Sequence, residues 1–210
     1  MSLTDIFSDS NERDTHKATP IPERFRKDKK VAIITGDNVE DTEFFYPYYR
    51  LTEAGYDVDV ITEEGGKFEG KRGLGLKESK SIESVDAGSY ALLYLPGGKA
   101  PAALRKNDAV LAFVRQFAAD GTKPVAAICH GVQILITAGL IRGKQVAAWP
   151  EIREEVEKAG ATFVNEALVE DGQFITARMP GDLPRHLSGV LDYLEGRKST
   201  ATPRGKLSAA

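Results

Sequence analysis

The only cysteine of the chain, Cys129, stands directly before His130 in the stretch VAAICHGVQIL. The apolar run PVAAIC predicts a buried strand, and the spacing of apolar residues in GVQILITAG predicts a helix, so Cys129 is predicted to lie at the turn between them. A side chain at the carboxyl end of a parallel strand faces the crevice where open α/β sheets bind ligands, and the following helix N-terminus stabilises a thiolate. We interpret Cys129 as a nucleophile; the alternative is a small buried apolar residue.

Two backbone amides could hold the oxyanion that such a nucleophile generates. The amide of His130 follows the cysteine, and Gly98 lies in LPGGKAPAAL after another predicted strand, where Gly97 and Gly98 let the backbone approach a ligand closely. The alternatives are an ordinary turn for the glycines, and a capping or packing role for the His130 ring. The segment lacks the spacing of a phosphate-binding loop.

A third segment, TGDNVEDTEFFYPYYRL, follows the first predicted strand, and three of its acidic residues, Glu40, Asp41 and Glu43, lie at the opening of a predicted helix. Asp41 and Glu43 fall in the first turn of a predicted helix, where the helix dipole alone favours acids. Glu40 lies in the loop that opens onto the same crevice as Cys129. We therefore predict that the Glu40 carboxyl hydrogen-bonds the thiolate or shuttles a proton.

The elements that position these residues follow a strand-helix rhythm. Strands are predicted over 31–35, 57–62, 91–96, 124–129 and 145–149, each followed by helical spacing or a glycine-rich excursion. Because the strands are apolar throughout, they suit a parallel sheet with helices on both faces. Residues 63–82 predict an extended excursion or small hairpin, Asp171-Gly172 predicts a hairpin turn, and 181–196 predicts a last helix.

Composition limits the remaining classes. The chain has 210 residues, 41% of them hydrophobic, and a formal net charge of −3 with no basic stripe, so a nucleic-acid partner is not expected. No apolar run reaches the roughly 20 residues that cross a bilayer, and no secretory signal is evident, so we expect a cytoplasmic protein without a membrane partner. We expect a flexible N-terminal arm over 1–29, one domain over 30–196 and a disordered tail over 197–210.

The ordered motifs E-D-x-E with Y-P-Y-x-R-L, L-P-G-G-x-A-P, A-I-C-H-G-x-Q-x-L and P-G-D-L-P together resemble the ThiJ/PfpI family of the class I glutamine amidotransferase-like superfamily. The resemblance implies a flavodoxin-like α/β/α sandwich with a mostly parallel central sheet and a nucleophile elbow. It further implies Cys129 as the nucleophile, Glu40 as the protonated carboxyl bonded to it, His130 as the adjacent histidine, and Gly98 and His130 as oxyanion donors. It also implies a homodimer or homohexamer.

Three positions depart from relatives. In the protease-like members a glutamate follows G-G-x-A-P, and that position is Ala102 here, which weakens a peptidase triad. The only late histidine, His186, is followed by Leu187 and Ser188 rather than a glutamate two residues on, which argues against glutamine amidotransfer. Trp149 stands where some relatives have tyrosine, and we expect it to form a pocket wall.

The resemblance leaves three functions open. The first is a cofactor-independent enzyme of the glyoxalase or deglycase type that acts on small aldehydes or their glycated adducts, for which a soft nucleophile and one carboxyl suffice without metal. The second is an intracellular cysteine peptidase or amide hydrolase. The third is a redox sensor or stress chaperone that uses oxidation of Cys129.

Overall fold

The computed structural model describes residues 15–197. Residues 1–14 of the predicted arm and 198–210 of the predicted tail lie outside the described residues. The strands are β1 (Lys30–Ile34), β2 (Asp57–Thr62), β3 (Phe68–Glu69), β4 (Gly75–Leu76), β5 (Lys80–Ser81), β6 (Tyr90–Leu95), β7 (Val125–Ile128), β8 (Gln145–Val146), β9 (Thr162–Phe163), β10 (Val169–Asp171) and β11 (Phe174–Ala177). The α-helices are α1 (Asp41–Glu53), α2 (Ala100–Leu104), α3 (Asp108–Ala118), α4 (Val132–Ala138), α5 (Arg153–Lys158) and α6 (Leu183–Leu194).

A seven-stranded sheet forms the centre of the fold, with strand order β10-β11-β7-β6-β1-β2-β5. All its described pairings are parallel except that of β10 with β11. Helix α1 packs with α6, and α4 packs with α2 and α3, so two groups of helices flank the sheet. The mostly parallel α/β architecture predicted from the sequence is confirmed.

The central strands form because their residues are apolar on both faces. Every residue from Val31 to Ile34 and from Leu92 to Leu95 is fully buried. Burial on both faces is what a parallel sheet covered by helices requires. The carboxyl ends of β1, β6 and β7 therefore meet at one edge of the sheet, where the three candidate segments emerge.

Three further predictions from the sequence had different outcomes. The glycine-rich excursion contains the β3-β4 hairpin, and Gly172, at φ 64°, makes the turn between β10 and β11, as predicted. The strand predicted over 145–149 is wrong in length and place, because only Gln145–Val146 is extended and it pairs with β9 outside the central sheet. The chain then turns toward Cys129, since the Trp149 amide donates to the Cys129 carbonyl at 3.4 Å.

The described part of the N-terminal arm lies against α1. The Tyr48 hydroxyl accepts from the Ala18 amide at 3.0 Å, and the Tyr49 hydroxyl donates to the His16 carbonyl at 2.9 Å. The ring of His16 also packs on Phe45, with centroids 5.6 Å apart. No helix among residues 15–197 is long and apolar enough to span a membrane.

Candidate active site

Cys129 begins a single 3₁₀ turn, Cys129–Gly131, between β7 and α4. Its φ of 59° lies in the left-handed region, which side chains other than glycine rarely adopt. Gly131 allows the turn to press against β6, since a Cβ there would lie 2.1 Å from the Leu95 carbonyl oxygen. The strand-to-helix elbow predicted from the sequence is therefore present, and it holds a strained, mostly buried cysteine.

Two backbone amides converge on the sulfur. Both the His130 and the Gly98 amides hydrogen-bond Sγ of Cys129, and both lower its pKa. Gly98 has φ 77°, and a Cβ at this position would lie 2.2 Å from the Glu40 nitrogen, so only glycine fits. These donors surround the point where an oxyanion on a carbon bonded to Sγ would develop.

The carboxyl beside the thiol belongs to Glu43. Glu43 is fully buried, its Oε2 accepts the Gly97 amide at 2.9 Å, and its side chain also hydrogen-bonds the Cys129 thiol. Gly97 permits this approach, since a Cβ there would lie 2.6 Å from Oε2 and 2.8 Å from the Cys129 Cβ. Burial raises the pKa of Glu43 from 4.5 to about 7; the nearby charge of Glu40 contributes to the rise, and the hydrogen bonds to Gly97 and Cys129 oppose it.

The placement of Glu40 against the thiol is wrong. Glu40 is the residue before α1, and its carboxyl forms ion pairs with Lys71, at 3.5 Å, and Arg72, at 3.0 Å, from the β3-β4 hairpin. Glu43 lies one helical turn further on, on the side of α1 that faces the core. Its spacing with Pro47 and Leu51 places it in an apolar stripe, and this pattern could have identified it from the sequence.

The thiol itself is not a free thiolate. Burial raises the pKa of Cys129 to about 12, and the charge of an ionised Glu43 contributes to the rise. The expected stabilisation of a thiolate by the following helix is outweighed by this desolvation. Because like charges repel, protonation of Glu43 favours the thiolate, and the two side chains titrate as a coupled pair.

The His130 ring lies closer to the thiol than expected. Its Nδ1 is 3.2 Å from Sγ, and burial lowers its pKa below 6.5, so the neutral ring predominates at pH 7. The indole of Trp149 stacks on it with centroids 6.1 Å apart and an interplanar angle of 29°. Trp149 is partly buried and lies beside His130. Its role as a pocket wall stays a prediction.

Ala102 lies on the surface of α2, and His186 lies in the core. Ala102 is exposed on α2 and offers no polar group to His130. His186 is fully buried, with Nε2 3.0 Å from the Ile175 carbonyl and Nδ1 3.3 Å from the Tyr94 hydroxyl. Because a carbonyl only accepts, Nε2 carries the proton and Nδ1 accepts from Tyr94. His186 is thus a core residue with both ring nitrogens satisfied.

Within residues 15–197, no group of three or more His, Cys, Asp or Glu side chains is arranged to hold a metal ion. The geometry thus defines a class of protein: an α/β sandwich with a buried cysteine at a strained elbow, a raised-pKa carboxyl and two amides around the sulfur. The chain belongs to the DJ-1/PfpI family, whose sequence model matches residues 29–203.

Relatives agree with this assignment. The chain is 39% identical over 154 residues to deglycase PH1704 of Pyrococcus horikoshii, covering 73% of this chain and 92% of the relative. It is 41% identical over 159 residues to protein/nucleic acid deglycase 2 of Escherichia coli, covering 74% and 92%. A two-domain Anabaena variabilis structure with DJ-1/ThiJ/PfpI-like and ferritin-like domains superposes with a TM-score of 0.77 at 40% identity. That match covers 87% of this chain and 52% of the other.

Proposed function

We propose that this protein is a cysteine-dependent enzyme that acts on 2-oxoaldehydes and on their adducts with amines. The observation that carries the proposal is the convergence of the Glu43 carboxyl and the Gly98 and His130 amides on Sγ of Cys129. The naming of both reported curated relatives as deglycases supports the same class of substrate.

The site suits addition to a carbonyl. Sγ of Cys129 bonds to the aldehyde carbon, and the carbonyl electrons move to oxygen, where the Gly98 and His130 amides stabilise the charge. Protonation of that oxygen gives a hemithioacetal. When the same carbon already carries an amine, the C–S bond forms as the C–N bond breaks, and the amine leaves with a proton.

The next step requires a group that both gives and takes protons. Transfer of the proton on the former aldehyde carbon to its neighbour, and of the hydroxyl proton to the neighbouring carbonyl oxygen, converts the hemithioacetal into a thioester of a 2-hydroxy acid. Glu43 suits this step, because its pKa of about 7 makes both protonation states accessible near neutral pH. Water then cleaves the thioester, releasing the acid and restoring the Cys129 thiol.

Formation of lactate from methylglyoxal tests the proposal. Cys129→Ala removes the nucleophile and is expected to abolish activity, whereas Glu43→Gln keeps the shape and removes the proton carrier, with an expected loss of about a hundredfold or more. The exposed Lys158→Gln on α5 is the control and is expected to leave lactate formation unchanged. Undiminished lactate formation by Cys129→Ala would overturn the proposal.

The type of amine that the enzyme repairs is a separate part of the proposal. The sequence argued against nucleic acid as a partner on charge grounds. The printed name of the Escherichia coli relative includes nucleic acid, so glycated nucleotides belong with glycated amino acids among the substrates to assay. Release of free amine from each methylglyoxal adduct, compared between wild type and Cys129→Ala, distinguishes them.

Peptide hydrolysis is the second candidate, and the 3.2 Å approach of His130 Nδ1 to Sγ favours it. A Cys-His pair can form an acyl-enzyme when the histidine protonates the leaving amine. Ala102, which is exposed and apolar, provides no acid to orient the ring. A fluorogenic peptide panel tests this candidate, and only cleavage lost in both Cys129→Ala and His130→Ala supports it.

Assembly and location complete the proposal. We infer a homodimer or homohexamer from the family resemblance, and a cytoplasmic location from the sequence. Light scattering of the purified protein measures the assembly, and fractionation of cells that express it tests the location.

A further inference from the structure

The β3-β4 hairpin is tied to the active site through one short segment of chain. Residues 38–40 lie between the hairpin and the glycine loop: Val39 forms an antiparallel bridge with Gly98, and its carbonyl accepts the Lys71 amide at 2.8 Å. The Glu40 amide donates to the Gly97 carbonyl at 3.4 Å. With neighbouring extended segments about 5 Å apart, the hairpin backbone at Lys71 runs about 10 Å from the backbone that carries the oxyanion amide.

The tip of this hairpin is held in a fixed position. The buried carboxylate of Asp41 accepts the Arg72 amide at 2.9 Å and the Leu74 amide at 3.1 Å. Asp37 accepts the Glu69 amide at 2.9 Å at the end of β3. These hydrogen bonds therefore fix the position of the hairpin tip relative to the start of α1.

The hairpin carries two cations to this position. Lys71 and Arg72 both pair with Glu40, whose side chain is only 9% exposed, while their own side chains are 53% and 64% exposed. One carboxylate thus faces two cations. The Asp41 carboxylate also lies at the hairpin tip, so the cluster offers a ligand two exposed cations and no net excess of positive charge. Glu40 anchors the cations on one side, and their exposed parts remain available to a ligand.

The positive charge of Lys71 lowers the pKa values of two groups in the active site. It acts on the Glu43 carboxyl and on the His130 ring. His130 also experiences the negative charges of Glu151 and Glu155, of which Glu155 is ion-paired with Arg105. Lys71 is therefore the cation whose charge acts on both Glu43 and His130.

We propose that Lys71, positioned by Glu40, binds an anionic group of the substrate, so that the site prefers 2-oxoaldehydes that carry a carboxylate or a phosphate over neutral ones. The inference deepens the proposed function and rests on it for the reaction, but not for the binding of the anion.

Alkylation of Cys129 tests the anion preference without any turnover. Iodoacetate and iodoacetamide both transfer a carbon to Sγ with loss of iodide, and they differ in charge. The ratio of their rates, each divided by that for a free thiol, is expected to fall about fivefold in Lys71→Gln and to lose its salt dependence. Lys67→Gln, an equal charge change at the base of the same hairpin, is expected to leave the ratio unchanged.

An equal fall in Lys67→Gln or an unchanged ratio in Lys71→Gln would each overturn the inference. The circular dichroism of Lys71→Gln should match that of wild type. A structural role of Lys71 alone would change the rates with both reagents equally, and not their ratio.

Substrate pairs then test the preference in turnover. Hydroxypyruvaldehyde phosphate is compared with hydroxypyruvaldehyde, and 4,5-dioxopentanoate with its methyl ester, which separates phosphate from carboxylate. Wild type is expected to favour the anionic member of at least one pair in kcat/KM, and Lys71→Gln to reduce that preference about fivefold, mainly through KM. Turnover of neutral methylglyoxal without an anion preference would refute the inference and leave the proposed function standing. A normal iodoacetate preference without turnover of any aldehyde would refute the proposed function instead.

Discussion

Replacing Glu43 with Gln is expected to change how the stability of the protein depends on pH. Burial raises the pKa of the Glu43 carboxyl from 4.5 to about 7, so the folded protein binds this proton more tightly than the unfolded chain does. Its contribution to the free energy of unfolding is therefore complete below pH 4.5 and is lost as the pH rises through about 7. The pKa difference corresponds to about 3 kcal/mol.

The Gln side chain has no proton to lose in this range. The free energy of unfolding of the Glu43→Gln protein therefore lacks this decline. Urea unfolding at a series of pH values measures both proteins, and the wild-type value minus the Glu43→Gln value should fall by about 3 kcal/mol between pH 4.5 and 7.5. His186 titrates in the same range, but it is present in both proteins and cancels in the difference. Glu40→Gln is the matched control, because it leaves the Glu43 carboxyl in place and should retain most of the decline.

A difference between wild type and Glu43→Gln that stays constant within about 1 kcal/mol over this range would refute the reasoning, because the carboxyl would then titrate as it does in the unfolded chain. The rate of alkylation of Cys129 by iodoacetamide provides a second measurement. Its pH profile in wild type should contain a step near the Glu43 pKa of about 7, and the step should vanish in Glu43→Gln.

Three further predictions concern the surroundings of the site. Gly98→Ala is expected to abolish lactate formation, because its Cβ would lie 2.2 Å from the Glu40 nitrogen; Gly121→Ala, which has a similar φ of 74° and nothing within 4 Å, should cost only about 1 kcal/mol of stability and no activity. Burial lowers the pKa of His186 to about 4, so its contribution to stability is present above pH 6.5 and is lost as the pH falls through about 4. Acid unfolding monitored by circular dichroism should begin in this pH window. A free energy of unfolding that does not change with pH there would contradict the assignment. Tyr94→Phe leaves Nδ1 of His186 without its donor and should lower the free energy of unfolding by about 1–3 kcal/mol in urea unfolding, whereas a neutral effect would mean that the hydroxyl and the ring do not interact.

Local patterns were sufficient for the fold and for much of the site. The fully apolar strands predict a parallel sheet, because burial on both faces leaves no alternation. The elbow at Cys129 follows from a buried strand that meets a helical pattern, and the paired Gly97 and Gly98 mark a close approach of backbone. Each of these features depends on residues that are near one another in the chain.

The wrong assignment of Glu40 shows where local reasoning stops. Glu40 and Glu43 both lie at the start of a helix, and acids are favoured there by the helix dipole whatever their role. The apolar stripe of α1 distinguishes Glu43, but the cations that hold Glu40 away from the thiol come from Lys71 and Arg72, some thirty residues further on. Likewise, the predicted strand at 145–149 is apolar enough for the sheet, yet only two of its residues are extended, beside β9.

The sequence by itself determined that Cys129 stands at a strand-to-helix turn and that glycines open the backbone beside it, because chain-local periodicity and glycine geometry govern both. Only the tertiary structure decided which carboxyl meets the thiol, that burial raises both of their pKa values, and that the Tyr94 hydroxyl and a core carbonyl satisfy His186. Desolvation and charge pairing depend on distances between segments that are far apart in the chain, and these distances exist only once the sheet brings the segments together.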